Sequence, residues 1–427
     1  ENFLGSDVAA FVEHTKRAIA VGQDEIVILR KDSVEIENFA GQSVTREEFV
    51  IDWDASAASK GGWSSFMAKE IADQPQAVGD TLMARLGSDG AVHLEELAPI
   101  TALIPNIDRI IMVACGTAAY AAEVGKYAIE SWARIPVSVE LSHEFRYRNP
   151  ILTKNTLVVA VSQSGETMDT LMATRYAKEA GAQVLSICNT QGATLAREAD
   201  AVLYTHAGPE VAVASTKAFT AQITSMYLLA LHLATVRGTH APDELQEIGR
   251  ELLKLPAQIA EVLASSEPIR ALGKNYKDAK TVLFLGRNVG FPIALEGALK
   301  LKELAYIHSE GFAAGELKHG PIALIEEGQP VIVIVPSPAD PDSLHAKVVS
   351  NIQEVRARGA KVIAIAEEGD SEVSKYAVEV IYVPKVHQML APILTVIPLQ
   401  IFAMELSAAK GLDVDQPRNL AKSVTVE

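Results

Sequence analysis

Apolar and polar positions follow two different rhythms along this chain. Over residues 1–53, the stretches "DEIVILRKDSVEIENFAGQSV" and "REEFVIDWD" switch between apolar and polar residues almost one by one, with turn signals at 30–33 and 40–42. A period of two marks antiparallel strands with one covered face. So few strands do not make a stable unit alone, so this region predicts the tail end of a β-rich domain whose beginning is missing. "DASAASKGGWSS" (54–65) is rich in small residues and reads as a linker.

From about residue 100 the rhythm changes to short apolar strand, small-residue turn, amphipathic helix. "RIIMVACGT" (109–117) leads into "AAYAAEVGKYAIESWA", "TLVVAVSQSGET" leads into "MDTLMATRYAKEAG", and "AQVLSICN" (182–189) follows. Strands alternating with helices predict a parallel sheet with right-handed crossovers. The succession then recurs: "KTVLFLGRN" (280–288), "PVIVIVPSPAD" (330–340) and "GAKVIAIA" (359–366) answer the first three strands. The offsets drift slowly, with Gly116 to Gly286 at 170, Val161 to Val335 at 174 and Gly181 to Gly359 at 178. Kept order and kept spacing together imply two copies of one α/β domain. The first copy ends its second strand in Ser162, Gln163, Ser164, Gly165, Glu166, Thr167; the second has Pro336, Ser337, Pro338, Ala339, Asp340 and loses most of those donors.

At 427 residues the chain exceeds one core, and 48% apolar residues describe an ordinary globular protein. A net charge of −16 without a basic run excludes a nucleic-acid partner, since nothing offsets phosphate repulsion. The two cysteines, Cys115 and Cys188, build no disulfide framework and fit a reducing cytoplasm. No signal peptide is recognisable. The most apolar stretch, "MLAPILTVIPLQIFAMEL" (389–406), contains Pro392 and Pro398 and predicts a buried helix rather than a membrane span.

The polar turn after the apolar strand is the strongest chemical signal. In open parallel sheets ligands sit beyond the C-terminal strand ends, where the next helix also presents unpaired N–H groups. Hydroxyls of Ser162, Ser164 and Thr167, the amide of Gln163 and the backbone freedom of Gly165 suit a phosphate. No Walker lysine and no G-x-G-x-x-G is present, so a small phosphorylated metabolite is favoured over a nucleotide. Helix capping, the plainer role, needs only one hydroxyl. "ACGT" (114–117) repeats the logic one strand earlier with Gly116 and Thr117. Ser215, Thr216 and Lys217 precede an apolar helix reaching about 236, either as caps or as ligand contacts. In the helix "FPIALEGALKLKELAYIH" (291–308), Glu296, Lys300 and Glu303 fall at i, i+4 and i+7 and share one face of an otherwise apolar body. His319 follows in "GELKHGP" (315–321). A carboxylate with a nearby histidine is equipment for moving a proton between adjacent sugar carbons. The tail 411–427 has no period and reads either as a frayed end or as a flap over a site.

The motifs "SQSGET", "VASTKAFT", "LEGALKLKE", "GELKHGP" and the terminal "DVDQPRNLAKSVTVE" resemble the glutamine–fructose-6-phosphate aminotransferase (glucosamine-6-phosphate synthase) family across essentially the whole chain. The resemblance implies two flavodoxin-like sugar-isomerase (SIS) domains in tandem, an α/β fold, after an antiparallel β remnant of an N-terminal-nucleophile glutaminase domain. It implies a remnant at 1–53, a linker at 54–66, SIS domains at 67–255 and 256–410, and a tail at 411–427 over the active site. No N-terminal cysteine exists here, so the chain is expected not to hydrolyse glutamine. By resemblance, Ser162, Gln163, Ser164 and Thr167 hold the phosphate, and Gly116, Thr117, Val213 and Ser215 line the sugar. Ala118 stands where many relatives have a serine. Glu303 is implied as the base shuttling a proton between C1 and C2. His319, from a neighbouring subunit, opens the ring. Lys300 lies near the reacting carbons, and Lys422 forms a Schiff base with the open-chain ketose. The implied reaction takes fructose 6-phosphate and glutamine-derived ammonia to glucosamine 6-phosphate, a precursor of amino sugars and cell wall, without metal or organic cofactor. A homodimer or higher oligomer is expected, with no nucleic acid and no membrane. Two rival expectations are a stand-alone phosphosugar isomerase or amino-sugar deaminase, and a non-catalytic sugar-phosphate sensor.

Overall fold

The structure is a computed structural model that describes residues 1–5, 8, 11–22, 24–51, 59–339 and 344–426. Its N-terminal part holds two separate antiparallel ladders: β1 (Arg17–Ile19) pairs with β4 (Glu48–Val50), and β2 (Glu25–Leu29) with β3 (Val34–Asn38). Little is buried here beyond Val12, Ala18, Ile36 and Ile51. So small an apolar set gives these two ladders little core of their own. Residues 54–58 of the expected linker lie outside the described residues. Its end is sharp: Ser65 accepts the Ala68 N–H at 3.0 Å and caps the helix Phe66–Ala72.

Two five-stranded parallel sheets follow. The first comprises β5 (Arg109–Ala114), β6 (Val137–Leu141), β7 (Thr156–Ser162), β8 (Gln183–Cys188) and β9 (Ala201–Tyr204), in the order β6-β5-β7-β8-β9. The second comprises β10 (Thr281–Gly286), β11 (His308–Ala313), β12 (Pro330–Ile334), β13 (Lys361–Glu367) and β14 (Glu379–Val383), in the order β11-β10-β12-β13-β14. The two orders are the same once numbered within each sheet, which bears out the duplication read from the spacing. The central strands β7 and β12 are buried along their whole length, as parallel strands covered on both faces must be. The outer strands β6, β9, β11 and β14 did not stand out in the sequence. Each is half-exposed, and edge position lets polar residues such as Glu140 and Glu310 interrupt the apolar run.

The two domains share one apolar core, which runs from β5 and β7 through the helices Lys217–Arg237 and Ala391–Ala409 to β10 and β12. Both helices are long and apolar enough to cross a membrane, yet both are mostly buried within the protein. Helix Gly290–Ala305 packs against Gly116–Ala128 of the first domain and Ala391–Ala409 of the second. It ends three residues short of the expected 308, because Tyr306 turns left-handed at φ 56° and His308 already begins β11. The tail has no regular structure but is tied down: the Met168 N–H donates to the Val424 carbonyl at 3.0 Å, and Arg418 stacks over the Tyr306 ring.

Candidate active site

The polar turn after β7 is folded by its own side chains. Ser162 Oγ accepts the Gly165 N–H at 3.0 Å, and Ser164 Oγ accepts the Glu166 N–H at 3.2 Å. Each hydroxyl thus accepts from the turn and still has an O–H to give, the group an anion would need. Gly165 sits at φ 69°, and a Cβ there would lie 2.6 Å from Ala193 Cβ and 2.7 Å from Cys188 Sγ. Glycine therefore lets the turn press against β8. Glu166, the one acidic member, is turned away, accepting the Thr194 N–H at 2.7 Å. Thr167 is the N-cap of helix Met168–Glu179, but its hydroxyl makes no capping bond and lies 3.4 Å from Ser162 Oγ. The plainer capping role is thus not the one Thr167 plays.

One strand over, Gly116 at φ 54° and Thr117 open helix Gly116–Ala128 at the end of β5, which is paired with β7. Thr117 reaches across to the second domain. Its hydroxyl donates to Glu296 Oε1 at 3.2 Å and accepts from Lys300 Nζ at 3.0 Å. Lys300 also contacts Glu303 Oε2 at 2.5 Å and Glu296 Oε1 at 3.3 Å. The triad foreseen on one helix face is therefore buried rather than a solvated ladder. Burial, with Glu303 nearby and Lys300 opposing, pushes Glu296 up to about 7. Burial alone would depress Lys300, but Glu296 and Glu303 hold its ammonium above the ordinary lysine value. The Glu296 side chain is fully enclosed whereas that of Glu303 is 21% exposed, so Glu303 is the carboxylate a substrate can reach.

A third element is the strap 210–216. Glu210 is buried and caps helix Lys217–Arg237: its Oε1 accepts the Thr216 N–H at 2.8 Å and the Ala218 N–H at 3.0 Å. Its Oε2 takes Lys422 Nζ at 2.6 Å, and Lys422 also donates to the Ala212 carbonyl at 2.8 Å. Burial opposes its charge, but Lys422 and the two N–H groups hold Glu210 below the usual carboxylate range. Val213 donates its N–H to the Asp415 carbonyl at 2.9 Å, and Ser215 is half-buried in the same strap. The capping reading of Ser215 and Thr216 gives way to Glu210, which sequence reasoning missed. An acid six residues before a polar helix start was the available signal. Glu70, also missed, accepts the Val211 N–H at 2.5 Å and the Ala212 N–H at 3.2 Å.

Gln163, Ser164, Glu210 and Lys422 share the wall of one cavity of about 1620 Å³ between the N-terminal ladders and the first sheet. Its size comes from that gap; the hydroxyls at the strand end, not the volume, mark where an anion fits. Thr117, Lys300 and Glu303 form a separate cluster outside that wall. His319 ends the short turn Ala314–His319 and is exposed, and among the described residues no hydrogen bond or ion pair joins it to Glu303. Among the described residues no group of three or more His, Cys, Asp or Glu is arranged to hold a metal. Cys188 is pushed up to about 12 by burial, which makes it a poor nucleophile.

Two parallel sheets of identical strand order, with a hydroxyl-rich turn at one strand end, define a tandem SIS-domain protein. The SIS domain family matches residues 103–232 and 275–410. The chain belongs to the glutamine–fructose-6-phosphate aminotransferase (isomerizing) family. It is 65% identical to the member from Leifsonia xyli, covering all of this chain and 69% of that one. It is 61% identical to the member from Corynebacterium glutamicum, covering all of this chain and 68% of that one. Among solved structures, the C-terminal domain of glucosamine-fructose-6-phosphate aminotransferase from Francisella tularensis aligns with TM-score 0.80 and 38% identity, over 84% of this chain and 100% of that one. Glucosamine-6-phosphate deaminase from Thermotoga maritima shares the fold at TM-score 0.62 and 22% identity, over 84% of this chain and 99% of that one.

Proposed function

We propose that this chain carries the sugar-phosphate isomerase half of an enzyme that makes glucosamine 6-phosphate from fructose 6-phosphate and glutamine-derived ammonia. The observation that supports this most directly is the Lys300–Glu303 pair: a reachable carboxylate, fixed at 2.5 Å by a buried ammonium that Thr117 of the other domain also touches. That is a base held in place for proton transfer.

In this reading Ser162, Gln163, Ser164 and Thr167 grip the phosphate, while Gly116, Thr117, Val213 and Ser215 line the sugar. His319 from a neighbouring copy opens the ring, in keeping with its exposure, and a homodimer or larger assembly follows. Lys422 condenses with the C2 carbonyl and releases water. Ammonia then displaces the lysine, leaving nitrogen on C2. Glu303 takes a proton from C1 and returns it to C2, so the carbonyl ends at C1. Lys300 steadies the charge that develops on oxygen. Ammonia comes from a glutaminase domain to which 1–53 belongs; 54–66 links it to SIS domains at 67–255 and 256–410, and the tail 411–427 covers the site. A reducing cytoplasm suits two free cysteines.

The test is incubation with fructose 6-phosphate. Formation of glucose 6-phosphate without ammonia, or of glucosamine 6-phosphate with it, is the expected result. Binding without turnover would instead indicate a sensor.

A further inference from the structure

We propose that Glu70 is a positioning residue for the Lys422 imine: its carboxyl holds the peptide of Ala212 so that the carbonyl of that residue, together with Glu210, presents Lys422 to the bound sugar. The proposal rests on the reading of Lys422 given above.

Helix Phe66–Ala72 has no chemistry in the reaction, yet it buries Glu70 to 2% exposure beside Met67 and Ile71. An apolar residue would fill that space without the penalty of burying a carboxyl. What Glu70 does instead is specific. Its Oε1 accepts the N–H of Val211 and of Ala212, the second at 3.2 Å, and the Ala212 carbonyl accepts Lys422 Nζ at 2.8 Å. One peptide unit away from each other, Glu70 and Lys422 thus hold the two ends of residue 212. The same helix is gripped at its start by the tail: the Asp415 carboxylate accepts the Phe66 and Met67 N–H groups at 3.0 and 2.9 Å, and its carbonyl accepts from Val213. Helix, strap and tail close into one ring of hydrogen bonds, with Lys422 as its outlet.

The charges complete the case. The charged groups facing Glu70 are Glu210 on the strap and Lys422 on the tail. The Asp73–Lys217 pair lies at the C-terminal end of its helix, and Asp415–Lys60 at the start. Burial and Glu210 push Glu70 up to about 8, against its backbone donors and Lys422. Its Oε2 is buried without a hydrogen-bond partner among the described residues, a poor setting for an ionised oxygen. Glu70 is therefore uncharged near neutrality, and Lys422 faces the single negative charge of Glu210. Two charged carboxylates would hold Lys422 more tightly than one, and the side chain must leave that contact to reach a carbonyl.

The experiment uses the full chain, fructose 6-phosphate and borohydride, with mass spectrometry of the reduced adduct on Lys422. Glucitol 6-phosphate, which has the phosphate but no carbonyl, reports the binding step separately. E70A is expected to slow trapping by about a hundredfold, as a misplaced reacting group does, while glucitol 6-phosphate affinity is unchanged. E70Q keeps an oxygen for both N–H groups and carries no charge, so it is expected to trap near the parent rate at pH 7. Toward pH 9, where Glu70 of the parent ionises, the parent is expected to fall behind E70Q. Parent-like trapping by E70A, or equal loss of glucitol 6-phosphate binding, overturns the proposal. If E70A does not fold, E70Q decides: a pH profile superimposable on that of the parent overturns it. Absence of any adduct in the parent overturns the reading of Lys422 and this inference together.

Discussion

The Lys300 ammonium lies 3.0 Å from the Thr117 hydroxyl, although 183 residues separate them in the chain. Thr117 opens a helix of the first domain and Lys300 sits mid-helix in the second, so this bond ties a strand-end turn of one repeat to the buried Glu296–Lys300–Glu303 cluster of the other. Moving either helix by an ångström would break both the contact and the setting of Glu303.

Glu303 is the only acid of its triad that a substrate can touch. Glu303→Gln is expected to lower turnover by about a thousandfold, the usual worth of a general base, while leaving sugar-phosphate affinity intact. Steady-state kinetics with calorimetric binding checks this; a variant that keeps its kcat would remove Glu303 from the role.

Glu296 gives a pH signature. Its carboxyl is raised from 4.5 to about 7 by burial, so the folded state holds the proton more tightly than the unfolded chain does. That contribution to stability is fully present below pH 4.5 and is lost as pH rises through 7. Glu296→Gln cannot ionise and keeps it. The Tm of the variant relative to the parent should therefore climb between those two values; a difference that falls over the window would mean that Glu296 is ionised in the fold.

Ser164 Oγ accepts the Glu166 N–H and still has a proton to donate. Ser164→Ala is expected to weaken fructose 6-phosphate by about 2 kcal/mol, roughly thirtyfold in Kd, the size of a hydrogen bond to a charged group. Unphosphorylated fructose is the control. Equal weakening of both sugars would show that the serine does not meet the phosphate.

Gly165→Ala tests the turn itself. The left-handed backbone and the 2.6 Å approach to Ala193 leave no room for a methyl group. The variant should lose more than about 2 kcal/mol in denaturant unfolding and lose phosphate affinity with it. Parent-like stability would mean that β8 yields easily and that the glycine is not required.

Much of this was legible in the residues because it is local. The apolar runs of β5, β7, β8, β10, β12 and β13 are buried on both faces and so announce themselves in composition, and their even offsets exposed the duplication. The serine-rich turn was readable because its hydroxyls lie within six positions. The edge strands were not, since a half-exposed strand needs no apolar run. The helix Phe66–Ala72 was not either: Ser65 caps it locally, but its first two N–H groups are met by Asp415 from the far end of the chain.

By itself, then, the sequence determined two α/β repeats, a hydroxyl-rich turn in the first of them, and a Glu-Lys-Glu face on a helix of the second. Each is set by side-chain type at short spacing, which the backbone period converts directly into geometry. Only the tertiary structure decided that this face is buried against Thr117, that Glu303 and not Glu296 is reachable, and that Glu70, Glu210 and Lys422 meet around one peptide. Those facts depend on which elements pack together and on how much water their contact removes, and no spacing along a chain encodes either.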